Sequence, residues 1–303
     1  MTARQLTLDR AAIGAATPDV PHWVLTLQCR DQVGIVAAIT RVIARIDGFI
    51  LDSQQYADLD SGQFFMRLVF APAGLRFPDA DDLHFTIERA AELFAMRWQL
   101  SRSDARPRVL IAVSNASHCL NDLLHRARAG HLPIEVAGVV SNHAKLAEIA
   151  DWYQVPYHHL PVEESNRDAQ EAALLALFED SRADLLVLAR YMQILSPHLA
   201  EALAGRCINI HHSFLPGFKG QRPYHAAHAR GVKLIGATAH FVTRDLDEGP
   251  IIEQAVERVD HRATPGDLVR IGRDIEAQVL ARALGWVAEQ RVFLNGLRTI
   301  VFR

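Results

Sequence analysis

The chain has 303 residues, 50% hydrophobic and 22% charged, with a formal net charge of -3. That balance excludes a disordered chain, and the length predicts two domains, each able to bury a core. The basic residues are dispersed, which excludes the electrostatic footprint of a nucleic-acid binder. No run of about 18 apolar residues or secretory leader pattern occurs, so no membrane partner and a cytoplasmic location are expected.

"HWVLTLQCR", residues 22–30, alternates like a half-buried strand, and "DQVGIVAAITRVIARIDG" follows with helical periodicity and a glycine stop. "FILDSQQYADLD" and "QFFMRLVFAP" read as two strands joined by a hairpin turn at Asp60-Ser61-Gly62. A second amphipathic helix, "DADDLHFTIERAAELFAMRW", opens with aspartates that suit a helix start, and "QLSR" supplies a last strand. The order is βαββαβ. "SDARPR", 103–108, is the predicted linker, so the expected domains are 20–103 and 104–303.

Beyond the linker the pattern changes. "RVLIAVSN", "IEVAGVVSN", "ADLLVLARY" and "CINIHHS" are short apolar runs separated by the helical segments "HCLNDLLHRARAG", "HAKLAEIADWYQ" and "DAQEAALLALFED". Buried parallel strands alternating with helices predict a doubly wound, mostly parallel, Rossmann-like sheet. Strand-like "GATAHFVTRDLDEGPIIEQAVERV", a long helix near 265–290 and the hairpin "RVFLNGLRTIVF" complete the chain.

Ligands of such sheets bind beyond the carboxyl ends of the strands. Polar groups stand at three of those ends: Ser114-Asn115, Arg190-Tyr191-Met192-Gln193, and Asn209-Ile210-His211-His212-Ser213. Strand alternation sends Asn209 and His211 to one face, where an amide donor and a titratable imidazole suit acid–base work and oxyanion stabilisation. Asp245, Asp247 and Glu248, before the turn signal Gly249-Pro250, offer a carboxylate to orient the histidine. The competing readings are a polar strand end bonding its own loop and a solvated acidic turn.

Metal binding is the chief rival, given fifteen histidines. Adjacent His211 and His212 are expected to point to opposite faces of the strand, and His225 and His228, three residues apart, have no acidic ligand at matching spacing. Cys29, Cys119 and Cys207 are odd in number and widely separated, which fits neither a disulfide framework nor a zinc ribbon. Neither GxGxxG, a Walker motif nor a GxSxG elbow occurs, so a dinucleotide cofactor and a serine nucleophile are not expected.

"INIHHSFLPGFKG" followed by "GATAHFVTRDLDEGPII" resembles the formyltransferase-fold enzymes that use 10-formyltetrahydrofolate, over about 108 to 290. "ARYMQILSP" and "SHCLNDLL" are similar to their deformylase branch, and "DQVGIVAAITRVIA" within the βαββαβ unit resembles an ACT domain. The resemblance implies an α/β chain with a ferredoxin-like ACT domain before a formyltransferase domain. It implies a hydrolase of one-carbon metabolism and purine biosynthesis that splits 10-formyltetrahydrofolate into formate and tetrahydrofolate, with no separate cofactor and no metal. Asn209, His211 and Asp247 take the catalytic positions, and Met192, Gln193, Ile194, Leu195, Val242 and Thr243 the pterin pocket, with Thr238 and His240 as supports. His212 stands where the transferases commonly carry proline. In the ACT-like unit the turn from Asp31 to Gly34 is the expected contact for an amino-acid effector, in a homo-oligomer.

Two alternatives stay open. One is formyl transfer to an amine acceptor, although the loop "SNASHCL" lacks the glycines that would cradle a substrate phosphate. The other is an ACT-type amino-acid sensor with little catalysis.

Overall fold

The computed structural model describes residues 22–215 and 223–303. The Pro216-Gly217 break of the sequence motif and the first two residues of the expected N-terminal domain lie outside these ranges. Two compact units meet between Ala105 and Arg106.

The first unit runs β1 (Trp23–Arg30), α1 (Ile35–Arg45), β2 (Gly48–Asp58), β3 (Gln63–Pro72), α2 (Ala80–Glu92) and β4 (Arg97–Arg102). Its antiparallel sheet has the order β2-β3-β1-β4, the ferredoxin-like arrangement. Alternation decides the packing: Phe64, Met66, Leu68 and Phe70 of β3 join Ile35, Ile39 and Ile43 of α1 and Leu83 and Ile87 of α2 in one core. Each fully buried isoleucine of that helical stripe contributes about 1.5–3 kcal/mol relative to exposure. Asp79 caps α2 by accepting from the Asp82 N–H at 3.0 Å. The hairpin turn closes as the residue types require: Gly62 has φ +64°, and its N–H donates to Asp58 O at 2.8 Å.

The second unit carries β5 (Arg108–Val113), α3 (His118–Arg128), β6 (Glu135–Ser141), α4 (Ala147–Trp152), β7 (Tyr157–His159), α5 (Arg167–Asp180), β8 (Leu185–Leu188), α6 (Pro197–Ala202), β9 (Cys207–His211), α7 (Pro223–Ala229), β10 (Leu234–Phe241), β11 (Ile251–Arg258), α8 (Pro265–Ala288), β12 (Val292–Asn295) and β13 (Arg298–Val301). Seven strands form one sheet in the order β11-β10-β9-β8-β5-β6-β7, while β12 and β13 pair as a hairpin. From β7 to β9 all neighbours are parallel, and β10 runs antiparallel to both β9 and β11.

The continuous apolar runs have a direct cause. Val109, Ile111 and Val113 of β5 face a core with α3 and α8, while Leu110 and Ala112 face a second core with α5 and α6, so neither side of the strand meets water. The periodicity of the sequence misses short elements. β7 is a three-residue edge strand, and α6 is a short helix begun by Ser196, whose Oγ accepts from the Leu199 N–H at 3.2 Å, and by Pro197. Because β6 and β7 extend the sheet on one side of β5, and β8 and β9 on the other, the strand order reverses at β5 and β8 and opens a crevice at their carboxyl ends.

Candidate active site

Register brings the first groups together. His240 of β10 lies opposite Asn209 of β9, and Thr238 lies opposite His211. Asn209 Nδ2 is 3.1 Å from His240 Nε2, and His240 Nδ1 is 2.9 Å from the Phe241 carbonyl oxygen. A carbonyl can only accept, so His240 carries a hydrogen on Nδ1, and its Nε2 points toward the asparagine amide.

Asp247 arrives from the loop between β10 and β11. That loop is pinched at its base, where the Phe241 N–H donates to Pro250 O at 2.9 Å. Gly249 makes the pinch possible, because a Cβ there would overlap the Phe241 carbonyl oxygen. Asp247 adopts φ +58°, in the left-handed region that non-glycine residues seldom hold. Its Oδ2 is 3.2 Å from His211 Nδ1, and its Oδ1 is 3.7 Å from His240 Nε2. Burial raises the Asp247 carboxyl, but pairing with His211 and His240 outweighs it and holds the group well below the ordinary carboxylate range. An ionised Asp247 therefore fixes the His211 hydrogen on Nδ1. His211 Nε2 is buried and has no hydrogen-bond partner among the described residues.

Asn209, His240 and Asp247 line a cleft together with Gln193, Ile194 and Leu195 beyond β8 and the loop from Val242 to Leu246. Its walls mix apolar side chains with a few convergent polar groups, as small-molecule sites do. Other expected residues lie elsewhere. His211 is not itself part of the lining and touches it through Asp247. Met192 is outside the lining, 52% exposed, with its N–H bonded to Ser114 Oγ at 3.1 Å. Thr238 is fully buried and ties down the chain after β9: its hydroxyl donates to Ser213 O at 2.9 Å and accepts from the Leu215 N–H at 3.1 Å. Asp31 and Gly34 lie in an exposed turn of the first unit, where the Asp31 N–H donates to Gly62 O at 2.9 Å and Gly34, at φ +100°, opens α1.

The expected divergence of His211 and His212 does not occur. β9 ends at His211, so strand alternation no longer governs its neighbour, and the two rings stack with centroids 4.9 Å apart and planes 21° apart. His212 leads into a cluster whose roles the sequence did not single out. Arg190 donates through Nη1 to His212 Nδ1, and Arg190 Nε is 3.3 Å from Glu276 Oε2. Tyr224 donates to Glu276 Oε1 at 2.6 Å, and His118 Nε2 is 2.8 Å from Glu276 Oε2. Burial raises Glu276, but His118, Arg190 and Tyr224 together bring its carboxyl below the ordinary value. A signal was present: Glu276 interrupts the buried stripe Ile275, Val279 and Leu280 of α8, and an apolar face holds a carboxylate only with partners.

Among the described residues, His118, Cys119 and Glu276 place metal-ligand atoms within 4.8 Å of one another. Both Glu276 oxygens already serve His118, Tyr224 and Arg190, and burial and the Glu276 charge push the Cys119 thiol well up. A cation there would face the guanidinium. His225 and His228 are exposed on α7.

Residues 107–284 match the family model for formyl transferases. Formyltetrahydrofolate deformylase from Corynebacterium sp. (strain P-1) is 50% identical over 92% of this chain and 98% of its own length. The enzyme of that name from Bacillus subtilis (strain 168) is 46% identical over 92% and 93%. The crystal structure of formyltetrahydrofolate deformylase from Burkholderia mallei superposes with a TM-score of 0.89 at 51% identity, covering 93% of this chain and all of that one. Agreement over nearly the whole length of these relatives, in both units and not the formyltransferase domain alone, means that the chain belongs to the formyltetrahydrofolate deformylase family.

Proposed function

We propose that the chain hydrolyses 10-formyltetrahydrofolate to formate and tetrahydrofolate, with Asn209, His211 and Asp247 as its catalytic residues. Water adds to the formyl carbon, the tetrahedral oxyanion collapses, the C–N10 bond breaks, and N10 leaves with the proton that the water gave up. The Asn209 amide and protonated His211, through Nε2, stabilise the oxyanion. Asp247 holds His211 Nδ1–H and positions the water. The carrying observation is the ionised Asp247 between His211 and His240, at 3.2 and 3.7 Å, on the wall of the cleft. Gln193, Ile194, Leu195, Val242 and Thr243 would hold the flat pterin, and the chemistry calls for no cofactor beyond the substrate.

Water rather than an amine is the acceptor on this reading. The loop after β5, "SNASHCL", has no glycine, and Ser114 Oγ is occupied between the Met192 N–H and Asn142 Oδ1, at 3.1 and 2.6 Å. The test is formate release from 10-formyltetrahydrofolate with no added acceptor, and an absolute requirement for an amine would reverse the assignment.

The ferredoxin-like unit would act as an ACT-type module of a homo-oligomer, with the exposed turn from Asp31 to Gly34 as its contact for an amino acid. Calorimetric titration with glycine and methionine tests this. No heat and no change in activity would leave it an assembly module.

A further inference from the structure

Stacked imidazoles pose an electrostatic problem, because two protonated rings with centroids 4.9 Å apart repel. The surroundings of His212 resolve it. Arg190 donates to His212 Nδ1, and a guanidinium has no lone pair to offer in return, so that nitrogen must hold a lone pair and the ring's hydrogen must sit on Nε2. A proton added at Nδ1 would meet the guanidinium head-on. His211 meets the opposite charge at the equivalent atom, since Asp247 Oδ2 is 3.2 Å from its Nδ1.

Among the described residues, the groups near the pair include Asp247 from the loop after β10, Arg190 from the turn after β8, Tyr224 from α7, and Glu276 from α8, with His118 of α3 beyond it. Glu276, 1% exposed, offsets the Arg190 charge from 3.3 Å away. Two backbone features are set aside for this cluster. Arg190 takes φ +66°, which a non-glycine residue holds only when its surroundings enforce it. Gly272, one helical turn before Glu276, vacates the space that the Tyr224 ring fills, since a Cβ there would overlap that ring. A glycine and a left-handed arginine on separate elements thus both serve contacts with one buried carboxylate.

We propose that Arg190 and Glu276 are positioning residues that lock His212 as a neutral ring with its hydrogen on Nε2, so that the stacked pair holds no more than one positive charge and His211 is the ring that can take it. The proposal rests on the reading that His211 stabilises the oxyanion. It gives His212 a chemical reason: a neutral, immobilised ring supports His211 without competing for its proton.

Nitrogen-15 NMR of the histidine side chains in the intact protein, with His212 assigned by a His212→Gln variant, tests the proposal in the wild type. The expected result is a bare Nδ1 and a protonated Nε2 on His212 throughout about pH 6 to 8, where an ordinary histidine titrates. In Arg190→Met, His212 should become titratable, kcat should fall on the order of tenfold to a hundredfold, and the pH profile of kcat/KM should gain a second ionisation. A doubly protonated His212, or a hydrogen on its Nδ1, where the wild-type enzyme is active would overturn the proposal. So would an Arg190→Met profile of unaltered shape. The wild-type spectrum does not depend on how any Arg190 or Glu276 variant folds. Absence of formate release would instead defeat the functional reading and leave the tautomer result standing.

Discussion

The two sheets of this chain treat polar groups in opposite ways. Among the described residues of the ferredoxin-like unit, the buried polar side chains are Asp58 and Arg67, and the turn from Asp31 to Gly34 is wholly exposed. In the seven-stranded unit Ser114, Asn142, His211, His212 and His240 are all buried near or beyond strand ends, and Glu276 is buried on α8. An exposed turn can contact a ligand only with groups that water already solvates, so its electrostatics stay weak. Buried groups must satisfy one another, and the same constraint perturbs their ionisation and holds their geometry. Chemistry belongs with the second pattern.

The sharpest way to break that contrast is to remove the buried charge at the cleft. Asp247→Asn should lower kcat for formate release by on the order of a hundredfold or more, with the fold intact by circular dichroism. Full activity would dismiss the triad. Gly249→Ala comes next, because its Cβ has no space beside the Phe241 carbonyl oxygen. We expect a loss of about 2 kcal/mol or more in urea unfolding, together with lost activity as the Asp247 loop shifts.

The buried ion cluster makes a prediction in pH. The Glu276 carboxyl is depressed in the folded state, so its ionisation contributes stability that is full above the unfolded glutamate value of about 4.3. That contribution disappears as pH falls through the lower folded value. Glu276→Gln should therefore flatten the decline of unfolding free energy below about pH 4, and an unchanged slope would show that the charge adds nothing there. The smallest effect belongs to the exposed turn. Asp31→Ala should change stability by less than about 0.5 kcal/mol and leave basal formate release intact, while removing any calorimetric response to an amino acid. A large stability loss would make the turn a structural element.

Much of the architecture was legible because local patterns imposed it. The alternation of "QFFMRLVFAP" fixes which face of β3 meets the helices, and the uninterrupted "RVLIAV" requires a strand buried on both sides. β7 was illegible, since three residues carry no periodicity, and α6 rests on one capping serine and one proline. In the site, strand alternation placed Asn209 and His211 together, but the same rule misdirected His212, which lies one residue past the strand's end. Arg190, Tyr224 and Glu276 were invisible as a group because 86 residues separate the first from the last, the difference between their positions in the chain.

By itself the sequence determined the strand and helix periods, the polar strand ends and the types of group available for proton and oxyanion chemistry, because these follow from short-range sterics and burial. Only the tertiary structure decided which groups meet. A cross-strand register puts His240 beside Asn209, a pinched loop brings Asp247 to His211, and a buried glutamate draws Arg190 onto His212. Those pairings depend on contacts between distant segments, and in a low-dielectric interior each charge is tolerable only where such a partner has been brought to it.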